Sequence, residues 1–437
     1  MANPTNERPA NASPATEARK PGTIGRVPQL VRRLLGAGRS SAGLLALGTS
    51  VGNLLGYALT VAGARRLGPH EFGAFSALLA LIIVGNVAAL AVQATTARAA
   101  ATGRPVAPAV RSGLILAITI GIALTALSPA AESVLQLPSP TPAIAAAVAI
   151  AALTATAPSL GIVQGRERFG LLAALVTIQA ALRVGGGLAG MALEPTATSA
   201  LIGIAAGFAA AGVVAWLAAR PASLFSRRGG FAVRATLSSG AMLLGFVVLT
   251  NIDVILARHV LSPEVSGLYA AGSIFTKIAF WLPQFVPLLA FPALADPLRR
   301  RSAVTLGVTA VAVSGAALTA LCWAFADPAV DLVAGPSYDD VVAWVPGFAG
   351  LGALYALAHL LVYAHLARRD RWTTGVLWVV LAAYVLTVEL WATTLAGVLV
   401  PGLVAAALIV LWGLARERLG TPSPVEGTES AVAPATT

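Results

Sequence analysis

Twelve apolar stretches follow one another along this 437-residue chain, each about as long as a bilayer is thick. They run roughly over 42–64, 74–96, 113–131, 143–164, 170–193, 198–219, 237–258, 267–292, 303–326, 341–366, 373–393 and 396–415. A spanning helix needs about 20 predominantly apolar residues. Inside lipid the backbone must satisfy its own hydrogen bonds, so stretches of this length read as helices. The expected fold is an all-α polytopic membrane protein of about 12 transmembrane helices. Only 11% of the residues are charged and 57% are hydrophobic, against about 25% charged in soluble proteins. That excludes a water-soluble enzyme, a disordered regulator and a nucleic-acid module. One cysteine, Cys322, and four scattered histidines give neither a disulfide framework nor a metal-ligand spacing.

Charge sets the expected orientation. With the first terminus in the cytosol, the cytosolic segments hold 24 of the 29 Arg and Lys residues. The opposite connections hold only Arg65, Arg66 and Arg258, beside eight acidic residues. That asymmetry follows the positive-inside rule and predicts both termini on the cytosolic side of a bacterial cytoplasmic membrane. Residues 1–41 read as a basic disordered tail in which Gln29–Arg39 forms a short interfacial helix on anionic lipid. A six-helix half over 42–219, a linker over 220–236, a second six-helix half over 237–415 and a disordered tail over 416–437 complete the expected organisation.

The two halves share a repeat. At an offset of 194 residues, Leu67, Pro69, Gly73 and Ala77 match Leu261, Pro263, Gly267 and Ala271, and Phe75 matches Tyr269. Six spans per half put both halves in the same orientation, so they relate by an axis along the membrane normal. The same segments carry a likeness. Arg66-Leu-Gly-Pro-His-Glu-Phe-Gly-Ala-Phe-Ser-Ala77, after a first helix containing Asn53, resembles the Wzx-type polysaccharide-biosynthesis flippases. So do Asn251-Ile-Asp-Val-Ile-Leu-Ala-Arg258 with Ser266-Gly-Leu-Tyr-Ala-Ala271, and the turn Gln164-Gly-Arg-Glu-Arg-Phe169. The resemblance implies the superfamily of multidrug/oligosaccharidyl-lipid/polysaccharide (MOP) exporters, which includes the MATE drug antiporters. It further implies two six-helix lobes around a central cavity that opens to each side in turn.

Charges within spans are costly and mark candidate sites. Helix counting places Arg183 and Lys277 near the midplane, one in each half. Gln179 shares a face with Arg183, and Gln284 shares one with Lys277. Glycines 185–187 beside Arg183 permit close helix approach. Asn53 and Tyr57 in the first helix, Asn86 in the second and Asn251 in the seventh are further candidates for a hydrophilic cavity. Interhelical hydrogen bonding explains such residues equally well. Asp253 and Glu389 are the candidate ion-coupling carboxylates, for a proton or sodium. Alternatively, Asp253 pairs with Arg258 or Lys277, and Glu389 is a hydrated interfacial carboxylate. Tyr355, His359 and Tyr363 form a stripe that reads as packing, and Arg65 and Arg66 read as snorkelling residues.

The expected function is a flippase for a polyprenyl-linked oligosaccharide, serving surface polysaccharide synthesis beside a polymerase or glycosyltransferases. A cationic, water-filled cavity suits its phosphate or pyrophosphate. No nucleotide-binding loop for ATP, no cofactor and no nucleic-acid partner is expected. A MATE-like cation antiporter is the alternative, although it calls for a carboxylate-dominated cavity. A membrane glycosyltransferase or polymerase calls for acidic residues in a large outer loop, whereas the longest here spans about 327–340. A scaffold that keeps the fold without transport is the remaining alternative.

Overall fold

The computed structural model describes residues 41–220, 233–281, 300–367 and 370–419. The first tail with its expected interfacial helix, most of the linker, the proline-rich end of the eighth stretch with Gln284, and the last tail from 420 onward lie outside the described residues.

The described elements are helices. α1 (Ser41–Ala101) is continuous except at Gly68, whose φ of 68° and ψ of 167° break it into two rods. Glycine takes this backbone without a Cβ clash, and Pro69 starts the next rod with its missing N–H at a position that needs none. α2 (Ala107–Ala126), α3 (Ser128–Val134), α4 (Thr141–Gly165), α5 (Phe169–Leu193) and α6 (Ala197–Ala219) complete the first half. The second half holds α7 (Val233–Leu249), α8 (Ile252–Val260), α9 (Pro263–Trp281), α10 (Arg300–Ala324), α11 (Ala326–Val333), a 3₁₀ turn (Pro336–Trp344), α12 (Val345–Ala367), α13 (Arg371–Trp391) and α14 (Leu395–Leu419). Nine described helices are long and apolar enough to cross a membrane, ten when α7 and α8 count as one span. With α1 taken as two rods and α9 added, the rods coincide with the twelve stretches.

The seventh stretch departs from the expected straight span: α7 and α8 meet at a 47° bend. Local side chains take over the backbone groups freed there. Thr250 Oγ1 donates to the Phe246 carbonyl at 3.1 Å, Asn251 Nδ2 to Val247 at 2.8 Å and Tyr355 Oη to Leu249 at 3.0 Å. Threonine and asparagine compete with helical bonding in this way, and in lipid a break persists only when every freed group is satisfied.

Packing within the halves relies on small residues. A Cβ on Gly186, Gly190, Gly203 or Gly207 would collide with backbone of the facing helix, so α5 and α6 touch main chain to main chain. This bears out the expectation for the glycines after Arg183, except that Gly185 faces open space. The halves meet mainly along α1 and α9. Ile115, Ile118 and Ile122 of α2 and residues such as Val379 and Leu386 of α13 point outward, as lipid-facing side chains do.

At the arginine-rich end Asp370 caps α13. Its carboxylate accepts from Trp372 N at 3.0 Å, Thr373 Oγ1 at 2.9 Å and Arg416 Nε at 3.2 Å. Burial pushes this carboxyl up, but those three donors outweigh it and hold it below the ordinary aspartate value. The lowered value means that the carboxylate stabilises the fold above about pH 4, and that this contribution disappears as the pH falls through the folded value. Asp370→Asn is therefore expected to cost about 1 kcal/mol at pH 7 and less at pH 3. Melting temperatures of the purified protein at both pH values check this.

Candidate functional site

The first rod of α1 runs beside α5 in register. A Cβ on Gly48 would touch Thr177, one on Gly52 would touch Ala180, and one on Gly56 would lie 2.7 Å from Arg183 Nη2. Glycine at 56 thus leaves room for the guanidinium against the helix. The next residue, Tyr57, donates across the halves to the Lys277 carbonyl at 3.4 Å, and its ring meets Trp281 edge-on at 6.5 Å. Tyr57 thus links α1 to the Lys277 backbone of α9 across the halves, while the described neighbours of Arg183, Gly56 and Phe208, lie within the first half.

Arg183 stands 5.9 Å over the ring of Phe208. Its Nε is buried and unpartnered, and among the described residues no carboxylate lies within ion-pair reach of it. Asn53 and Gln179 sit one turn before Tyr57 and Arg183 on their helices and are half-buried. Asn86 lies on the second rod of α1, where neighbouring Gly85 packs on Ile150 of α4, and no described contact brings it to Arg183. Asn251 is buried, and its amide is spent on Val247 and Thr250, so it serves the bend between α7 and α8.

Asp253 occupies the first turn of α8, where the helix dipole favours a carboxylate. It is buried among tyrosines. Tyr269 Oη donates to its Oδ2 at 3.3 Å, while Tyr355 and Tyr384 are committed to the Leu249 and Val398 carbonyls. Asp253 Oδ1 is buried without a partner. Lys277 acts on Asp253 through space, but no described contact within 4 Å joins them. Glu389 is not in this cluster; it lies at the arginine-poor end, a third exposed, with Oε2 3.3 Å from His259 Nε2. The Tyr355–His359–Tyr363 stripe packs as expected: the His359 ring lies 5.2 Å from Phe246 and 4.5 Å from Tyr363.

The sequence reading missed the joint at the arginine-poor end. Arg258 does not pair with Asp253. It is fully buried and donates to five uncharged acceptors: the carbonyls of Leu135, Gln136, His70 and Pro263, and Ser266 Oγ, at 2.8–3.3 Å. Three of these belong to the other half. Gln136 answers by donating to the carbonyls of Arg258, His259 and Leu261. Tyr338 Oη donates to the Ala64 carbonyl at 3.0 Å and closes over Phe72. Arg65 is likewise engaged across the halves, on the Asp331 carbonyl at 3.0 Å. The repeat forms the centre of this joint. A Cβ on Gly267 would strike the Pro69 backbone, and one on Gly73 would reach Ser266 and the Gly267 nitrogen. The matched Pro-x-x-x-Gly segments are therefore the facing surfaces of the two halves. Their location in the sequence was the available signal.

No family model matches the chain, and no curated protein matches it. Solved structures do. An inward-facing MATE transporter of the MOP superfamily superposes with a TM-score of 0.65 at 14% identity, covering 84% of this chain and 94% of that one. The eukaryotic MATE transporter AtDTX14 gives 0.62 at 14% identity, covering 90% and 96%. A MOP superfamily transporter from Pyrococcus furiosus, described as having a binding pocket of reversed polarity, gives 0.50 at 13% identity over 86% and 94%. The chain thus has the twelve-helix, two-lobe fold of the MATE transporters.

Proposed function

We propose that this protein is a membrane transporter that flips a polyprenyl-phosphate- or pyrophosphate-linked oligosaccharide across the bacterial cytoplasmic membrane by alternating access, for cell-surface polysaccharide synthesis. The observation that carries the reading is Arg183: a buried guanidinium against Gly56, one residue from the Tyr57 that reaches the Lys277 carbonyl of the other half, with no described carboxylate within 4 Å to neutralise it. Such a charge costs roughly 2.5–3.5 kcal/mol to place in a membrane, and an anionic cargo offsets that cost. Arginine offers a bidentate fork to phosphate oxygens, and lysine adds a point charge. Asn53 and Gln179, one turn before Tyr57 and Arg183, supply hydrogen bonds for sugar hydroxyls. The polyprenyl tail stays in lipid, and the polymerase or glycosyltransferases are the partners before and after the step. Asp253, with one oxygen free, is the proposed proton or sodium carrier. By the charge asymmetry, the arginine-poor end faces outward and both termini face the cytosol.

The fold serves a MATE-like cation antiporter equally well, and the buried Asp253 carboxylate is the observation that favours that reading. One experiment separates the two. Arg183→Ala and Lys277→Ala should each reduce polymer export at least about tenfold with normal membrane abundance, as loss of a charge-assisted contact predicts, while Arg183→Lys keeps part of it. Asp253→Asn should abolish dependence on the ion gradient. Unimpaired export by both alanine variants at normal abundance refutes the anion site. Loss of drug-cation efflux in Asp253→Asn with polymer export intact establishes the antiporter.

A further inference from the structure

The repeat aligns Arg65 with His259, 194 residues apart, and both act as struts between the halves. Arg65 Nη2 donates to the Asp331 carbonyl on α11. His259 Nδ1 lies 2.8 Å from the Val134 carbonyl at the end of α3. Helices α3 and α11 follow the third rod of their respective halves, so the two struts are pseudo-symmetric mates. Their chemistry differs. Arginine keeps its charge throughout the accessible pH range, whereas imidazole changes charge between about pH 5 and 8.

His259 is held on both ring nitrogens. Nδ1 faces a carbonyl and Nε2 faces the Glu389 carboxylate at 3.3 Å. Both partners are acceptors only. A neutral imidazole has a single N–H, so it serves one partner and turns a lone pair on the other; the imidazolium serves both. We infer that His259 is a proton-operated strut: as imidazolium it holds the arginine-poor end closed, and as neutral imidazole it gives its single N–H to the charged Glu389 acceptor of its own half and releases the Val134 carbonyl of the other.

The surrounding groups leave this role to His259. Glu389 on α13 is the carboxylate within 4 Å of it among the described residues. Arg258, next in the chain, turns inward to uncharged acceptors. From the first half, His70 faces its own neighbour Glu71 at 3.5 Å, and Glu132 belongs to α3. Glu264 opens α9 and acts on Arg258, as does Glu71. Gln136 binds the His259 backbone carbonyl rather than the ring. The side chains of His259 and Glu389 are 37% and 36% exposed, so water delivers the proton directly.

The inference rests on alternating access by the two halves, whatever the cargo, and its test needs no substrate. In a Cys322→Ser background, spin labels attached through Ala192→Cys and Thr393→Cys report the separation of the halves at this end; both sites are exposed, one in each half. The ratio of closed to open separations is expected to fall roughly two- to fivefold from pH 5 to pH 8, the size an exposed pair supports. His259→Gln should flatten the response at the high-pH ratio. A wild-type ratio that ignores pH, or a response that survives His259→Gln, overturns the proposal. None of these outcomes depends on Arg183 or on export, so failure here is distinguishable from failure of the flippase reading.

Discussion

Arg258→Ala is expected to destabilise the protein by at least about 3 kcal/mol and to lower its abundance in the membrane. The side chain is 0% exposed and feeds five acceptors at once. Alanine leaves the carbonyls of Leu135, Gln136 and His70 facing an empty space, and an unsatisfied buried acceptor costs about 1–3 kcal/mol. Arg258→Lys should recover only part of the loss, because lysine has three donors on one atom and lacks the planar fork that reaches Leu135 and Gln136 together. Gln136→Ala should cost less, since Gln136 is exposed and water replaces its amide. Melting temperatures of the detergent-solubilised variants should rank wild type, Gln136→Ala, Arg258→Lys, Arg258→Ala. An unchanged value for Arg258→Ala would falsify the clamp.

Gly267→Ala is expected to force the halves apart at the same end. The added methyl meets the Pro69 carbonyl and its Cα, which are backbone and have no rotamer to escape to. Overpacking of this kind typically costs 1–3 kcal/mol, and here the halves relieve it by separating. Gly73→Ala meets chiefly the Ser266 hydroxyl, which can turn, so its effect should be smaller. Gly375→Ala enters open space and should be silent. A cysteine placed at Ala64, which is 1% exposed beneath Tyr338, reports the opening in a Cys322→Ser background. Its reaction with a membrane-impermeant maleimide should accelerate in Gly267→Ala and stay slow in Gly375→Ala. Equal rates in the two would remove the steric argument.

The rods were legible because a bilayer sets their length and composition, and hydropathy reads both. Helix counting put Arg183 and Lys277 in spans of different halves, but it could not show that Tyr57 would be the side chain that reaches across to the Lys277 carbonyl. The joint of Arg258, Gln136 and His259 was not legible. Its acceptors are backbone carbonyls, which every residue carries, so no pairing of residue types announces it. The α7–α8 bend was hidden for a similar reason. Asn251 read as a polar residue lining a cavity, and nothing in the one-dimensional pattern shows that its side chain and that of Thr250 substitute for helical hydrogen bonds. The partner of Glu389, His259, lay 130 positions earlier in the chain, beyond the reach of any local pattern.

The uncharged character of the acceptors around Arg258 has a physiological consequence. Mobile ions weaken an attraction between exposed charges, with a screening length that shrinks from about 30 Å at 0.01 M to 3 Å at 1 M. The Arg258 clamp joins one buried cation to carbonyl dipoles and a hydroxyl, so dissolved salt finds little to screen. The Arg258 clamp is therefore expected to hold from dilute to concentrated salt, while the exposed pair of His259 and Glu389 weakens.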